Sequence, residues 1–382
     1  MLSPRPVRYS RSTDTSPSAL AATFLSSASP PTFPSGLDIS AFLASAAREG
    51  LLGLLHARVC ATGAANQLPP ALVAGLRAGA HRQVVHELAQ RVELQRVVAE
   101  TRRRGLDVLL MKGASLAYHV YPDPAWRVRA DADMLIRAAD RDGVRACFGD
   151  LGYVCEPYGS RRLVTYQFYS QRMDEHGVRH LYDVHWKIAN PQRFADAMRF
   201  DELAEDAVPL PLLGPHARGI GRVHALWLAC MHRAAHHYDR DTIVWLYDIH
   251  LLMSALDPEG VARFVGLAER TGIRRICLRA LLLARDRFGT AVAPTVFASL
   301  EAAPANEPST MFLRAGVRKV DVLLDDMRVL PGWRSRLTLL RGHLFPDAAY
   351  MRSMDASGSA APILWLYLRR IVAGAAKWFR HQ

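Results

Sequence analysis

The chain predicts an α+β protein: a mixed β-sheet with helices on at least one face, set between helical flanks. Three observations predict it. Helical periodicity fills residues 37–104 and returns beyond Pro191. Between these stretches the period breaks into short apolar runs punctuated by glycines. That middle stretch reads strand, helix, strand, helix and then three strands, which calls for a sheet with helices packed against it.

Each element follows from a local signal. Residues 1–36 are rich in Ser, Thr and Pro, show no period and are expected to be disordered. Asp38 to Glu49 and Leu51 to Ala61 carry apolar residues at helical spacing. Pro69-Pro70 opens a long amphipathic helix that Gly105 closes. Leu106 to Met111 is a short apolar run after that Gly, the mark of a buried strand. Ser115 to Tyr121 is helical and stops at Pro122. Ala132 to Ile136 is strand-like, and Ala138 to Leu151 is a helix ended by Gly152. Tyr153 to Glu156, Leu163 to Gln171 and Val178 to Lys187 read as strands, with Asp174-Glu175-His176-Gly177 as the turn between the last two. His176 and His180 flank that turn and read as exposed. The helical segments after Asn190-Pro191 include Gly221 to Tyr238, Thr242 to Ala255, Gly260 to Arg270, Ile273 to Phe288 and Pro308 to Leu330. The predicted units are 1–36, 37–104, 105–190 as the catalytic core, 191–345, and a tail 346–382 with an amphipathic helix.

Composition narrows the class. At 382 residues the chain can bury a substantial core. A formal charge of +12 invites a nucleic-acid reading, but all but four of the 48 basic residues are arginines, spread along the chain. That skew fits a general coding bias and predicts no specific nucleic-acid binding. The five cysteines are odd in number and lack a CxxC pair, so they read as free thiols of a reducing compartment. No apolar run reaches the length of a membrane span, and the expected location is the cytoplasm.

The chemistry concentrates in acidic residues. Asp131 and Asp133 are two apart, and on a strand the period of two puts both on one face. Two such carboxylates repel unless a cation lies between them. Mg²⁺, or Mn²⁺ in its place, takes oxygen ligands of this kind, with substrate phosphates completing its shell. Asp183 lies on a later strand beside apolar Leu181 and Val184, where a charge needs a partner. Lys112-Gly113-Ala114 ends the first strand and opens a helix. There a Gly would let backbone approach a phosphate, and helix N–H groups would face it. Lys112 is one of only four lysines, so its charge reads as selected. The GxxxxGK[ST] phosphate loop is absent.

Leu110-Met111-Lys112-Gly113, Arg129-x-Asp131-x-Asp133 and Tyr182-Asp183-Val184-His185-Trp186 together resemble the polymerase-beta-like nucleotidyltransferase superfamily. More narrowly, they resemble its bacterial group of uncharacterised nucleotidyltransferases, over roughly residues 80–345. The resemblance implies a Mg²⁺-dependent transfer of a nucleoside monophosphate from a nucleoside triphosphate to an acceptor hydroxyl, with pyrophosphate released. It implies that Asp131, Asp133 and Asp183 bind two metal ions, and that Asp183 takes the acceptor's proton. Lys112, Gly113, Ser115 and Arg129 would contact the nucleotide, with Arg127 close by. The sequence departs from the superfamily's usual turn, since Gly113 is followed by Ala114.

His232 and His236 share a helix face, and Trp245 and Asp248 follow. Arg233 stands where a zinc protease motif needs Glu, which excludes that class. His185 shares the strand face of Asp183 and is a candidate for substrate contact or for support behind the metal ligands. The resemblance implies that the histidine helix packs against the catalytic sheet, which makes His232, His236 and Asp248 candidates too. The C-terminal stretch Pro362 to Arg380 is amphipathic; packing on the helical domain is its expected role and membrane-surface docking the alternative. The rival readings are a non-catalytic nucleotide-binding or regulatory protein of the same fold, and a metal-dependent phosphohydrolase using the histidine helix.

Overall fold

The computed structural model describes residues 16–26, 33, 36–156, 163–353 and 361–379. It begins with helices α1 (Pro17–Ser26), α2 (Ile39–Arg48), α3 (Leu52–Thr62) and α4 (Pro70–Arg103). Asp38 caps α2 by accepting a hydrogen bond from Ala41 N at 2.9 Å. Gly105 takes a φ of 73° just past α4, the left-handed stop that its position predicts. The long α4 joins two cores: Leu72 and Leu76 pack among the helices, whereas Leu94, Val97 and Val98 pack beneath the sheet.

The expectation of disorder over 1–36 fails for α1. Ala21, Ala22 and Phe24 of this helix are at most 2% exposed, and Phe33 bridges the rings of Phe24 and Phe42 at 5.6 and 5.4 Å. Small alanines with one aromatic suffice where a neighbouring core accepts them, although such a segment shows no period. The remaining residues of that expectation, apart from Ser16, Phe33 and Gly36, lie outside the described residues.

The sheet segment runs β1 (Val108–Met111), α5 (Lys112–His119), β2 (Ala132–Ile136), α6 (Arg141–Asp150), β3 (Val154–Cys155), β4 (Gln167–Met173) and β5 (Arg179–His185). After α7 (Gln192–Ala195) and α8 (Phe200–Glu205) come β6 (Val208–Pro209) and β7 (Arg218–Gly219). The spatial order is β3-β4-β5-β2-β1-β7-β6. β2 runs parallel to β5 and antiparallel to β1, and the sheet is mixed as expected. β4 starts at Gln167, later than Leu163. β6 and β7 fall where no strand is predicted, because two-residue strands are too short to alternate. The turn 174–177 forms as read, with Gly177 at a φ of 75°. His180, expected to be exposed, is buried and bonded to Asp174 at 2.9 Å.

The two sheet faces have different neighbours. Val108, Leu110, Met134, Ile136 and Val184 pack with Val144 and Phe148 of α6 and with the end of α4. Leu109, Met111 and Leu135 face the helical domain. Asp133 lies two residues before Leu135 on the same strand, so it shares this second face.

The helical domain comprises α9 (Arg222–Ala235), α10 (Ile243–Ser254), α11 (Pro258–Arg270), α12 (Arg274–Phe288) and α13 (Pro294–Glu301). Its centre is Trp227 of α9, fully buried, whose indole N–H donates to Thr271 Oγ1 at 2.8 Å. Beyond lie α14 (Lys319–Val329), α15 (Gly332–Leu344), α16 (Ala348–Ser353) and α17 (Ile363–Phe379). The last buries Leu366 while exposing Leu364 and Trp365. Among the described residues, no helix is long and apolar enough to cross a membrane. All five cysteines are free thiols, and Cys147, Cys230 and Cys277 are buried.

Candidate active site

The site arises from strand register. β2 and β5 pair in parallel with Asp133 opposite Asp183 and Leu135 opposite His185. Residues in register on neighbouring strands point to the same face, so two carboxylates and an imidazole meet at one end of the sheet. His185 Nε2 lies 3.2 Å from both Asp133 Oδ1 and Asp183 Oδ2. Lys112 Nζ donates to Asp133 Oδ1 at 2.7 Å. Gln167 Nε2 donates to Asp183 Oδ2 at 2.7 Å, and Asn190 Nδ2 holds Gln167 Oε1 at 2.8 Å. Each carboxylate thus has one oxygen tied down by donors. Asp183 Oδ1 is buried and has no partner, as is His185 Nδ1.

Asp131 stands just before β2, less buried than Asp133, and both line a cleft of about 1100 Å³ between the sheet and α9 and α10. Burial, reinforced by Asp133, pushes its pKa up to about 6. Burial acts the same way on Asp133, but Lys112 and His185 outweigh it and hold that carboxyl at about 2. In return, burial opposes the charges on Lys112 and His185, and the neighbouring aspartates still raise both above their ordinary values.

These residues fit a divalent cation. Ligand atoms of Asp133, Asp183 and His185 lie within 4.8 Å of one another. Hard oxygens with one imidazole suit Mg²⁺ or Mn²⁺. The unpartnered, buried Asp183 Oδ1 is an oxygen that such an ion would satisfy.

The glycine turn works differently from its reading in the sequence. The left-handed backbone lies at Lys112, with a φ of 52°, one residue before Gly113. That conformation costs a non-glycine residue about 1–2 kcal/mol. It accompanies a side chain folded onto Asp133 as α5 begins. Gly113 lies under the Arg127 guanidinium, where a Cβ would make ordinary contact at 3.4 Å.

Three nucleotide or substrate candidates are bonded to other side chains, although Arg129 and Asp248 also line the cleft. Ser115 is fully buried, facing His119 with Oγ 3.3 Å from its Nδ1, and does not line the cleft. Arg129 turns to α4, where it bonds Glu87 at 2.6 Å and Tyr118 at 3.0 Å. Asp248 clamps Arg127 through bonds of 2.8 Å to both Nε and Nη2, and accepts from Tyr121 at 2.7 Å. It therefore anchors α10 to the loop before β2, and Arg127 over Gly113. The exposed cations at the cleft wall are Arg48 and Arg179, which the sequence reading passed over.

His232 and His236 do line the cleft, with His237 and Trp245. His237 Nε2 is 3.0 Å from His232 Nε2, and the His237 ring lies 3.9 Å from Trp245 at 32°. Burial first, then Lys112, drives His236 down to about 3 and His237 to about 4. Arg233, noted in the sequence only for excluding a protease motif, is buried and pairs with Asp239. It holds the bend where Tyr238 and Asp239 adopt φ of 54° and 56°.

Gln167, Asn190 and Glu87 were missed. Counting back from the 174–177 turn puts Gln167 opposite His185, so this partner of Asp183 could have been found by register. Glu87 carries no such signal, since it lies 42 residues from Arg129 in an amphipathic helix.

A family model described as "uncharacterised nucleotidyltransferase" matches residues 35–289, more than half of the chain, including Lys112, both carboxylate strands and the histidine helix. No protein of curated function matches it. The chain therefore belongs to this nucleotidyltransferase family, and its activity is that of a transferase.

Proposed function

We propose that the protein transfers a nucleoside monophosphate from a nucleoside triphosphate to a hydroxyl of an acceptor, releasing pyrophosphate, with Mg²⁺ as the activating ion. The observation that supports this most is the in-register meeting of Asp133 and Asp183 at the floor of the cleft, with one carboxylate oxygen left without a donor. Asp131, Asp133 and Asp183 would hold two divalent ions, and His185 stands close enough to serve as a further ligand. Bound there, such ions polarise the phosphoryl oxygens and stabilise the charge that builds up in an in-line displacement.

The side chains divide the remaining work. His185 and Gln167 fix the carboxylates, so their free oxygens keep one orientation toward the cleft. Asp183 Oδ1 can take the proton of the attacking hydroxyl. Lys112 supplies a point charge for the triphosphate. His232 and His236 offer neutral hydrogen-bonding groups on the opposite wall. The phosphohydrolase alternative has less support: His232 and His237 bond each other, and the metal-competent group found among the described residues lies on the sheet.

The test is incubation with each α-phosphate-labelled triphosphate, Mg²⁺ and cell extract. Transfer of label by the wild type, lost in Asp131→Ala/Asp133→Ala, is the expected result. Labelled products identical in both proteins would contradict the assignment.

A further inference from the structure

Asp133 has two cationic neighbours that differ in freedom. His185 is on a central strand with a side chain 4% exposed, and its ring bridges both carboxylates. Lys112 sits at the junction of β1 and α5, on an unbranched stem 17% exposed in the cleft wall. An ammonium carries three donors. The hydrogen bond it makes among the described residues goes to Asp133 Oδ1, so two donors can serve another anion. The buried arginines nearby cannot take that role, because Arg127 and Arg129 are held by Asp248 and Glu87.

We propose that Lys112 is a displaceable internal counter-ion of the carboxylate pair. It opposes a divalent cation arriving alone, and it leaves Asp133 when triphosphate oxygens accept its donors. Cation and nucleotide then enter as one complex. This inference rests on the nucleotidyl-transfer reading above and deepens it. The physical reason is like-charge repulsion: a divalent ion at Asp133 would stand beside an ammonium already bonded to the same oxygen. Phosphate charge relieves that repulsion and gives the ammonium a new partner.

The test reads metal binding. Mn²⁺ uptake by the full chain is followed by the loss of its free-ion paramagnetic resonance signal. The proteins are wild type, Lys112→Met, Lys112→Gln and Lys112→Met/Asp133→Asn. Without nucleotide, the two single variants are expected to bind Mn²⁺ at least about tenfold more tightly than wild type, and the double variant to lose that gain. Lys112→Gln keeps a donor toward Asp133 and serves if Lys112→Met does not fold. In a second arm, water-proton relaxation detects ternary complexes with a mixture of the four α,β-methylene triphosphates. Wild type is expected to form one at Mn²⁺ concentrations where the ion alone does not bind. If wild type takes up Mn²⁺ alone as tightly as the single variants, the counter-ion role is overturned while the metal site stands. If no protein binds Mn²⁺ with or without the analogues, the metal site falls as well.

Discussion

The sheet wall and the helix wall of the cleft both take ionisable groups out of water, yet they end with opposite charge states. On the sheet wall Asp133 is 6% exposed and stays ionised down to about 2. Strand register brings His185 to it, and the strand–helix junction brings Lys112. On the helix wall His236 meets the His232 ring and His237 the Trp245 ring, and burial drives them to about 3 and 4. Burial removes a charge unless a second element delivers a partner. The cleft therefore presents a charged side suited to a divalent cation and a neutral side suited to hydrogen bonding.

The strongest way to break this contrast is Asp133→Asn. The amide keeps the shape but not the charge that Lys112 and His185 surround. Label transfer should fall on the order of 10³-fold while the circular dichroism spectrum stays unchanged. A loss below about tenfold would put the required charge elsewhere. Asp248→Ala tests a buried pair that contributes architecture. It leaves the Arg127 guanidinium buried without its carboxylate, and denaturant unfolding should show a loss of about 3–5 kcal/mol. Activity lost at unchanged stability would instead place Asp248 in contact with substrate.

The neutral wall makes a pH prediction. The folded pKa of His236 is lowered, so the unfolded chain takes a proton near 6.5 that the folded chain refuses until about 3. Stability from this group is complete above about 6.5 and is lost as pH falls below it. The slope approaches about 1.4 kcal/mol per pH unit. His236→Gln should flatten the unfolding free energy between about pH 5 and 6.5; an unchanged slope would mean that His236 charges in the folded protein. Asp326 sharpens the rule from the acid side. Burial pushes it up to about 7, although it accepts from Gln192 N at 2.7 Å. Its folded pKa is raised, so stability is lost as pH rises from about 4 through 7. Asp326→Asn should stabilise by about 1–2 kcal/mol near pH 8, with the gain vanishing near pH 4, in denaturant titrations at the two pH values.

What could be read from sequence divides along the same physical line. That Asp133 and Asp183 share a sheet face was legible because a period of two and apolar flanks reveal which way a strand residue faces. The mixed sheet followed from that pattern, whereas β6 and β7 are too short to display it. The bonds that Arg129 and Ser115 make with Glu87 and His119 could not be read from sequence, because those partners are set by packing. Glu87 comes from a helix far upstream, 42 residues from Arg129. Helix α1 escaped because alanine-rich segments bury well without a periodic signature. Gln167 lies between these cases, since the hairpin register contains it but no motif does.

The central claim is that two strand-borne carboxylates hold a divalent ion beside the nucleotide. Anomalous diffraction from crystals grown with Mn²⁺ and α,β-methylene triphosphates addresses it directly. The account predicts a manganese peak coordinated by Asp133 and Asp183, with Lys112 Nζ moved from Asp133 onto phosphate. A bound nucleotide with no such peak, and Lys112 still on Asp133, would contradict it.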